Sequence, residues 1–554
     1  MRTAPLSANR IGYRDASLGK QTVKVKTYIF AVSLASLLVQ SVDIWSATVA
    51  AAAPRKGGTL VVSVLGEPPH LNPAVTTMGS VHAVTGSIYN GLVGLDERAN
   101  PEPELAERWQ VADDGKTYTF FLRRDVRWHD GVAFTADDVK FTFDELLLKH
   151  HSRTRAGLAA NLAGIEVRDA HTVVFRFKHP NAPFLRRLDV SEAAILPRHV
   201  YQGKDPLAQA LNANPVGTGP FRLAKWQRGE SIVLERNPGY FRAGKPYLDK
   251  VVFRTLPNAP TATVALETGE VDYLWTVPGT ELPRLREVKT VSTVRSAAGA
   301  GGSYCITTLV PNLRRPPLQN PNVRAALNMA VDRRFIVDRV EFGAGKEARG
   351  PIHSQLSWSD PALPKFTYQP ERAAQLLNEA GFLKGENGVR FKLRFVYAQT
   401  TSSMLAEALK DQLHRVGVEL TLEPVDAATA VERVYLKNDF DLGVASYCNG
   451  ADPDIGVKRV YHSQNILPIP FGNGAGFSNP QVDTLFDRAA QTLNDRERHD
   501  LYRQVQQLLV RELPYFWLVE SEGYRAYRSA VKGLKVWTGN TFEEAYVEVR
   551  GSSR

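Results

Sequence analysis

One stretch of the sequence, residues 106–143, constrains the fold most, because it places a strand, a turn and a capped helix in succession. Apolar aromatic and aliphatic residues recur at every second position of a half-buried strand, namely Tyr118, Phe120 and Leu122. Thr135 then precedes Asp138 by the spacing of a capping box at a helix start. The stretch therefore predicts a strand over 117–122 and a helix that begins after Thr135.

The same stretch closely resembles the N-terminal motif of the extracytoplasmic solute-binding proteins of family 5, the peptide/nickel class. These proteins are the binding components of ABC importers. Further strings in this sequence resemble family segments in the same order, at residues 57–73, 214–223, 234–241, 266–275, 322–333, 414–420 and 476–489. The resemblance thus extends over nearly the whole chain after residue 56.

The resemblance implies an α/β fold of the two-lobed periplasmic binding protein kind (type II, cluster C), with an extra domain and a ligand cleft closed by hinge motion. A length of 554 residues agrees, since it exceeds what one hydrophobic core usually supports. Carried onto this sequence, the family's domains are expected as domain I (54–100, 212–297 and 527–554), domain II (101–211) and domain III (298–526). The ligand is expected between domains I and III.

Residues 1–53 have the order of a cleaved secretory signal peptide. Three lysines (Lys20, Lys24 and Lys26) precede an apolar run over 28–39, and small residues fill 47–53. A membrane anchor is the alternative, but the apolar run is shorter than the roughly 20 residues that a spanning helix needs. The segment contains no cysteine for a lipid anchor, so we expect a free protein in the periplasm.

The charge of the chain gives no sign of a nucleic-acid partner. The formal charge of +10 falls to +6 without residues 1–53, which carry six basic and two acidic residues. The basic pairs are scattered and lack interleaved aromatic residues, as at Arg123-Arg124, Arg186-Arg187 and Arg314-Arg315. Solvated surface explains them better than a nucleic-acid site.

The chain has two cysteines, Cys305 and Cys448. An even count in an exported protein favours one disulfide, and both sequence contexts resemble segments that oligopeptide-binding members of the family join within the third domain. Two separate buried thiols remain the alternative. A metal site is weaker still, because no histidine falls at ligand spacing beside either cysteine.

No catalytic motif is found in the sequence. It lacks a G-x-S-x-G elbow and an H-E-x-x-H pair, and the GAGK string at 343–346 lacks the remaining residues of a phosphate loop. We therefore expect no enzyme activity, no cofactor and no metal.

The resemblance places ligand contacts in the segment 446–454, SYCNGADPD. Peptide-binding relatives keep an aspartate one or two residues after the cysteine position, where it pairs with the ligand's α-ammonium group. Asn449 or Gly450 stands there in this sequence. The nearest carboxylates are Asp452 and Asp454, which in the family more often cap the following helix.

A second anchor of dipeptide-binding relatives is also missing. Those proteins place an arginine in the loop before the helix that ends in VGV, whereas the corresponding loop here, 397–401, has no basic residue. We therefore expect a ligand held by neutral hydrogen bonds and aromatic contact. The predicted contacts are Glu67, Gln399, Tyr447, Asn449 and Asp452. Structural roles stay open for them: a turn cap for Glu67, solvent exposure for Gln399, and packing beside the disulfide for Tyr447.

The predicted function is capture of a peptide or peptide-like small solute and its delivery to an inner-membrane ABC permease, by a protein expected to be a monomer. The alternatives are a non-peptide solute such as an oligosaccharide or a conjugate, a nickel or haem complex, and a periplasmic hydrolase. A metal complex would need convergent histidines, and only His70 of the 12 falls in a segment placed at the cleft. A role beside a chemoreceptor fits the binding function as well.

Overall fold

The computed structural model describes residues 54–64, 66–256, 258–295, 304–536, 539 and 541–548. The predicted signal segment, 1–53, lies outside these residues. The described parts combine helices with β-sheets that contain parallel strands, which confirms the predicted α/β class. No helix there is both long enough and apolar enough to span a bilayer.

The first sheet is built from segments far apart in the chain. Its seven strands lie in the order β12 (Val291–Arg295), β19 (Tyr524–Arg528), β11 (Tyr273–Val277), β1 (Thr59–Val64), β10 (Lys250–Thr255), β9 (Ser231–Arg236) and β8 (Phe221–Gln227). β1 runs parallel to both of its neighbours, while the other pairs are antiparallel. The strand nearest the N-terminus is thus central, and a strand from the C-terminal region joins the same sheet.

The second sheet contains the strand predicted over 117–122. Its four antiparallel strands follow the order β4 (Ala106–Val111), β5 (Thr117–Leu122), β7 (Thr172–Phe177) and β6 (Leu162–Asp169). The apolar side chains of β5 that alternate in the sequence are buried. Helix α2 (Ala136–Phe141) begins after Thr135, whose side chain and that of Asp138 form the capping box, so both predictions are confirmed.

The third sheet carries the disulfide. Its order is β14 (Gly345–Glu347), β18 (Phe516–Ser521), β13 (Cys305–Pro311), β17 (Leu442–Cys448), β15 (Phe391–Ala398) and β16 (Val418–Val425). β15 runs parallel to β16 and β17, whereas β13 is antiparallel to β17 and β18. Cys305 lies directly opposite Cys448 and is bonded to it, which confirms the predicted disulfide and excludes two separate thiols.

Two short hairpins and the helices complete the described structure. The hairpins pair β2 (Val93–Leu95) with β3 (Pro101–Pro103) and β20 (Val531–Lys532) with β21 (Tyr546–Val547). The other helices are α1 (Gly79–Thr85), α3 (Leu148–His150), α4 (Ser152–Leu158), α5 (Val190–Ala193), α6 (Arg198–Tyr201), α7 (Gln209–Asn212), α8 (Ala259–Thr268), α9 (Leu282–Glu287), α10 (Pro321–Met329), α11 (Arg333–Phe335), α12 (Pro370–Glu379), α13 (Gln399–Arg415), α14 (Ala427–Val431), α15 (Pro453–Gly456), α16 (Lys458–Tyr461), α17 (Pro480–Gln491) and α18 (Asp495–Glu512). Three π-helical segments, Thr142–Leu147, Ile336–Val340 and Glu432–Leu436, continue α2, α11 and α14.

The hydrophobic core is divided in the same way as the sheets. One cluster of buried residues joins the first and second sheets, and a larger cluster packs around the third sheet. Two contacts join the part of the chain around the second sheet to the part around the third sheet. The backbone N–H of Ala182 donates to the Ala490 carbonyl at 2.9 Å, and Arg187 forms an ion pair with Asp454 at 2.5 Å. The predicted boundary at 526 falls inside strand β19, and that at 297 lies outside the described residues.

Candidate functional site

A cavity of about 480 Å³ opens on the third sheet, where the parallel strands β15 and β17 end. Open α/β sheets bind ligands at the carboxyl ends of their strands. Its walls come from β13, β15, β17, the start of α13 and the two π-helical segments at 336–340 and 432–436. The lining residues are Thr307, Val340, Glu341, Ala398, Gln399, Ser403, Met404, Leu405, Ala430, Val431, Val434, Tyr435, Val444, Ala445, Ser446 and Phe471.

The lining is mostly apolar with a few hydrogen-bonding groups. Gln399 is the exposed first residue of α13, and its backbone carbonyl accepts a hydrogen bond from Ser403 Oγ at 2.7 Å. Thr307 and Ser446 add hydroxyl groups from β13 and β17. Apolar walls with a few convergent polar groups are typical of small-molecule sites.

Tyr435 links the cavity to Tyr447 behind it. The two phenol oxygens lie 2.8 Å apart, and Tyr447 packs edge-on against Tyr515. Burial raises the pKa of both Tyr435 and Tyr447, so both phenols stay protonated at neutral pH. Tyr435 lines the cavity, whereas the predicted Tyr447 is not among the lining residues.

Among the described residues that line the cavity, Glu341 is the one with a charged side chain. It is half-buried, and burial raises the pKa of its carboxyl group. It occupies the C-cap position of the segment Ile336–Val340, where a negative charge is disfavoured by the helix dipole. Sequence reasoning missed Glu341, although an acidic residue at a helix C-terminus was an available signal.

Asn449 lies away from the cavity and is 2 % exposed. Its Oδ1 accepts a hydrogen bond from His353 N at 2.7 Å, and its Nδ2 donates one to Pro351 O at 3.1 Å. Its backbone N–H donates to Tyr304 O. The side chain thus fixes the loop at 351–353, and its contact with a ligand stays a prediction.

Asp452 is fully buried in an ion pair with Arg498. Arg498 Nη2 donates to both carboxylate oxygens, at 2.9 and 2.8 Å, and Asp452 Oδ1 also accepts from Asp454 N as the N-cap of α15. The opposite charge of Asp452 raises the pKa of Arg498 against the effect of burial. Asp452 therefore caps helix α15, which is the structural role that the family resemblance gave as the alternative to a ligand contact.

The carboxylate of Glu67 accepts hydrogen bonds from the end of β8 and from the turn between β8 and β9. Its Oε1 accepts a hydrogen bond from Trp226 Nε1 at 2.8 Å, and its Oε2 accepts one from Gly229 N at 3.0 Å. Of the five predicted contacts, Gln399 lines the cavity and Tyr447 lies directly behind it. The structure does not bring Glu67, Asn449 and Asp452 to the cavity, and their ligand roles stay predictions.

The comparisons with known proteins agree with one another. Residues 100–467 match the family model described as "Bacterial extracellular solute-binding proteins, family 5 Middle". The oligopeptide-binding protein AppA of Bacillus subtilis (strain 168) is 30% identical over 511 residues, which cover 88% of this chain and 91% of that protein.

Two solved structures are similar over most of the chain. The periplasmic binding protein DppA from Helicobacter pylori, in complex with the peptide STSA, has a TM-score of 0.79 at 26% identity and covers 89% of this chain and 99% of its own. The binding protein AgaA from A. tumefaciens R10, in complex with agropinic acid, has a TM-score of 0.78 at 26% identity and covers 90% of this chain and 100% of its own.

Proposed function

Because this chain belongs to the bacterial extracellular solute-binding proteins of family 5, we propose that its ligand is a peptide or a peptide-like small solute. The chain is a periplasmic substrate-binding component of an ABC importer and has the two-lobed fold of this family.

The observation that carries the ligand proposal is the cavity of about 480 Å³ at the ends of β15 and β17. Its volume lies within the range of small-molecule sites, about 300–1,000 Å³. The neutral hydrogen-bonding groups of Thr307, Gln399 and Ser446 suit the peptide groups of an extended ligand. AppA and DppA, which are named for peptides or described with one bound, make this ligand class the first choice.

We propose that binding stabilises a closed arrangement of the lobes, which the permease then recognises. Domain I (54–100, 212–297 and 527–554) and domain II (101–211) would move against domain III (298–526). The hydrophobic core supports this division, because one buried cluster joins the first and second sheets and a separate one packs around the third, and the Arg187–Asp454 pair would have to open when the lobes separate. The proposed protein acts as a monomer, without nucleic acid and without catalysis.

A second candidate is a non-peptide solute. The described lining of the cavity contains no basic residue that could pair with the C-terminal carboxylate of a short peptide. AgaA, described with agropinic acid bound, shows the same fold with a ligand that is not a simple peptide. This candidate predicts one discrete ligand in place of many.

Native mass spectrometry of protein purified from the periplasm without unfolding tests the proposal. We expect a series of adducts that differ by amino-acid residue masses, and the same series should rebind after the protein is unfolded, stripped and refolded. One discrete adduct outside that series would replace the peptide ligand by the non-peptide candidate. Shortening of the bound peptides with time would show a hydrolase and overturn the proposal.

A further inference from the structure

We propose that Glu341 anchors a positively charged group of the ligand, so that the solute carries an ammonium or guanidinium group on an apolar body. This proposal rests on the proposed function, because it assigns the ligand class of the same cavity. It starts from the one charged residue in a wall of neutral side chains.

The carboxylate of Glu341 has no ion-pair partner among the residues that the structure describes. Among the described residues, no basic nitrogen lies within 4 Å of its carboxylate. Other acidic residues of the same region are paired: Glu423 with Arg433 at 2.5 Å, and Asp439 with Arg394 at 2.8 Å. A half-buried carboxylate without a counter-ion is costly, and a ligand cation would offset that cost.

The fold gains no stability from a negative charge on residue 341. Glu341 closes the helical segment Ile336–Val340 by donating its backbone N–H to Ile336 O. The carbonyl dipoles at this helix end favour a cation, so they oppose the carboxylate. A structural role would be served better by a neutral residue such as glutamine.

Glu341 lies among apolar residues of the cavity wall. Apolar side chains of Val340, Val431 and Phe471 line the same cavity, and a Cβ at Gly279, on the first sheet's side, would collide with the Glu341 carbonyl. The backbone at Gly279 therefore lies directly against the backbone of Glu341. Reduced access of water strengthens the attraction between opposite charges, and the apolar walls suit the uncharged part of such a solute.

The charge could come from the ligand's amino terminus or from a basic side chain. Two tripeptide libraries separate these sources: one with free amino termini and no Lys or Arg, and one that is N-acetylated and contains both residues. A third, N-acetylated library without Lys or Arg has no positive charge. Stripped, refolded wild-type protein is incubated with each library, and the retained peptides are quantified by native mass spectrometry.

We expect retention from at least one cationic library and none from the uncharged one. Glu341→Gln should weaken binding of the retained peptides about 10- to 100-fold, the range for a hydrogen bond to a charged group. The ligand-free variant should melt no lower than wild type, which a purely structural role would not allow. The matched control is Asp338→Asn, which removes an exposed acidic group of the same helical segment, and it should bind like wild type.

Equal retention of the uncharged library, or unchanged affinity in Glu341→Gln, would overturn the role of Glu341 while leaving a peptide ligand in place. Retention of no peptide would refute the peptide ligand instead. The role of Glu341 is then decided by the solute released from periplasmic protein by unfolding. A released solute without a positive group at pH 7 would overturn it, and a cationic one that Glu341→Gln fails to co-purify would support it.

Discussion

Replacing Asp452 with asparagine should destabilise the protein strongly and leave its ligand preference unchanged. The Asp452 and Arg498 side chains are both 0 % exposed, and Arg498 Nη2 contacts the two carboxylate oxygens at 2.9 and 2.8 Å. Asparagine keeps the size of the side chain and can still accept the cap hydrogen bond from Asp454 N. The change therefore removes mainly the charge, and among the described residues it leaves the buried Arg498 guanidinium only the exposed carboxylate of Asp495 as a counter-ion. Breaking a buried pair in this way costs about 3–5 kcal/mol.

Urea unfolding followed by circular dichroism measures this loss, and Asp495→Asn is the matched control. Asp495 lies 3.7 Å from the same guanidinium, but its side chain is 64 % exposed, so its removal should cost at most about 1 kcal/mol. If Asp452→Asn unfolds at the same urea concentration as wild type and loses its ligand, the ion pair is not structural. Asp452 would then be the ligand contact that the sequence predicted.

Three further changes test other buried groups. Burial, with the nearby Glu192 charge, raises the pKa of Asp189 to about 7, so ionisation of Asp189 destabilises the fold as pH rises from about 4 to 7. Asp189→Asn should therefore melt higher than wild type at pH 8 but not at pH 4, and an equal difference at both pH values would refute the assignment. Replacing Cys305 and Cys448 by serine should lower the free energy of unfolding by up to about 5 kcal/mol, because the disulfide closes a loop over a separation of 143 residues. A reductant should lower the melting temperature of the wild-type protein and leave that of the double serine variant unchanged. Asn449→Ala should lower the ligand-free melting temperature, at a cost of about 2 kcal/mol, because it leaves two buried backbone groups without partners; weaker ligand binding with no change in melting temperature would restore its predicted role at the site.

Local sequence patterns predicted those parts of the fold that depend on neighbouring residues. The strand over 117–122 and the helix after Thr135 were predicted correctly, because alternation and capping act within a few residues. The bond between Cys305 and Cys448 was predicted from the family resemblance and an even cysteine count. A separation of 143 residues carries no local signal of its own.

The candidate site could be predicted only in part, because distant strands and helices build it. Gln399 was predicted as a ligand contact from its place before a family helix; it lines the cavity, and its contact with a ligand stays a prediction. Tyr435 reaches the cavity from one π-helical segment and Glu341 from the C-cap of another, and no spacing in the sequence relates them. Glu67 was predicted as a ligand contact, but the structure does not bring it to the cavity. Its carboxylate accepts hydrogen bonds from Trp226 and Gly229, which lie about 160 positions further along the chain, so no local pattern could predict these contacts.

The order of strands in the first sheet has a consequence for how the protein matures after export. β1 (Thr59–Val64) is near the start of the chain, but β19 (Tyr524–Arg528) separates β11 from β12 in the same sheet. A chain translocated N-terminus first cannot complete this sheet until residue 528 has crossed the membrane. β11 can already pair with β1, but its other edge and β12 lack β19 while the chain from residue 295 to residue 528 crosses, so chaperones of the periplasm would meet this lobe as an open edge rather than as a finished sheet.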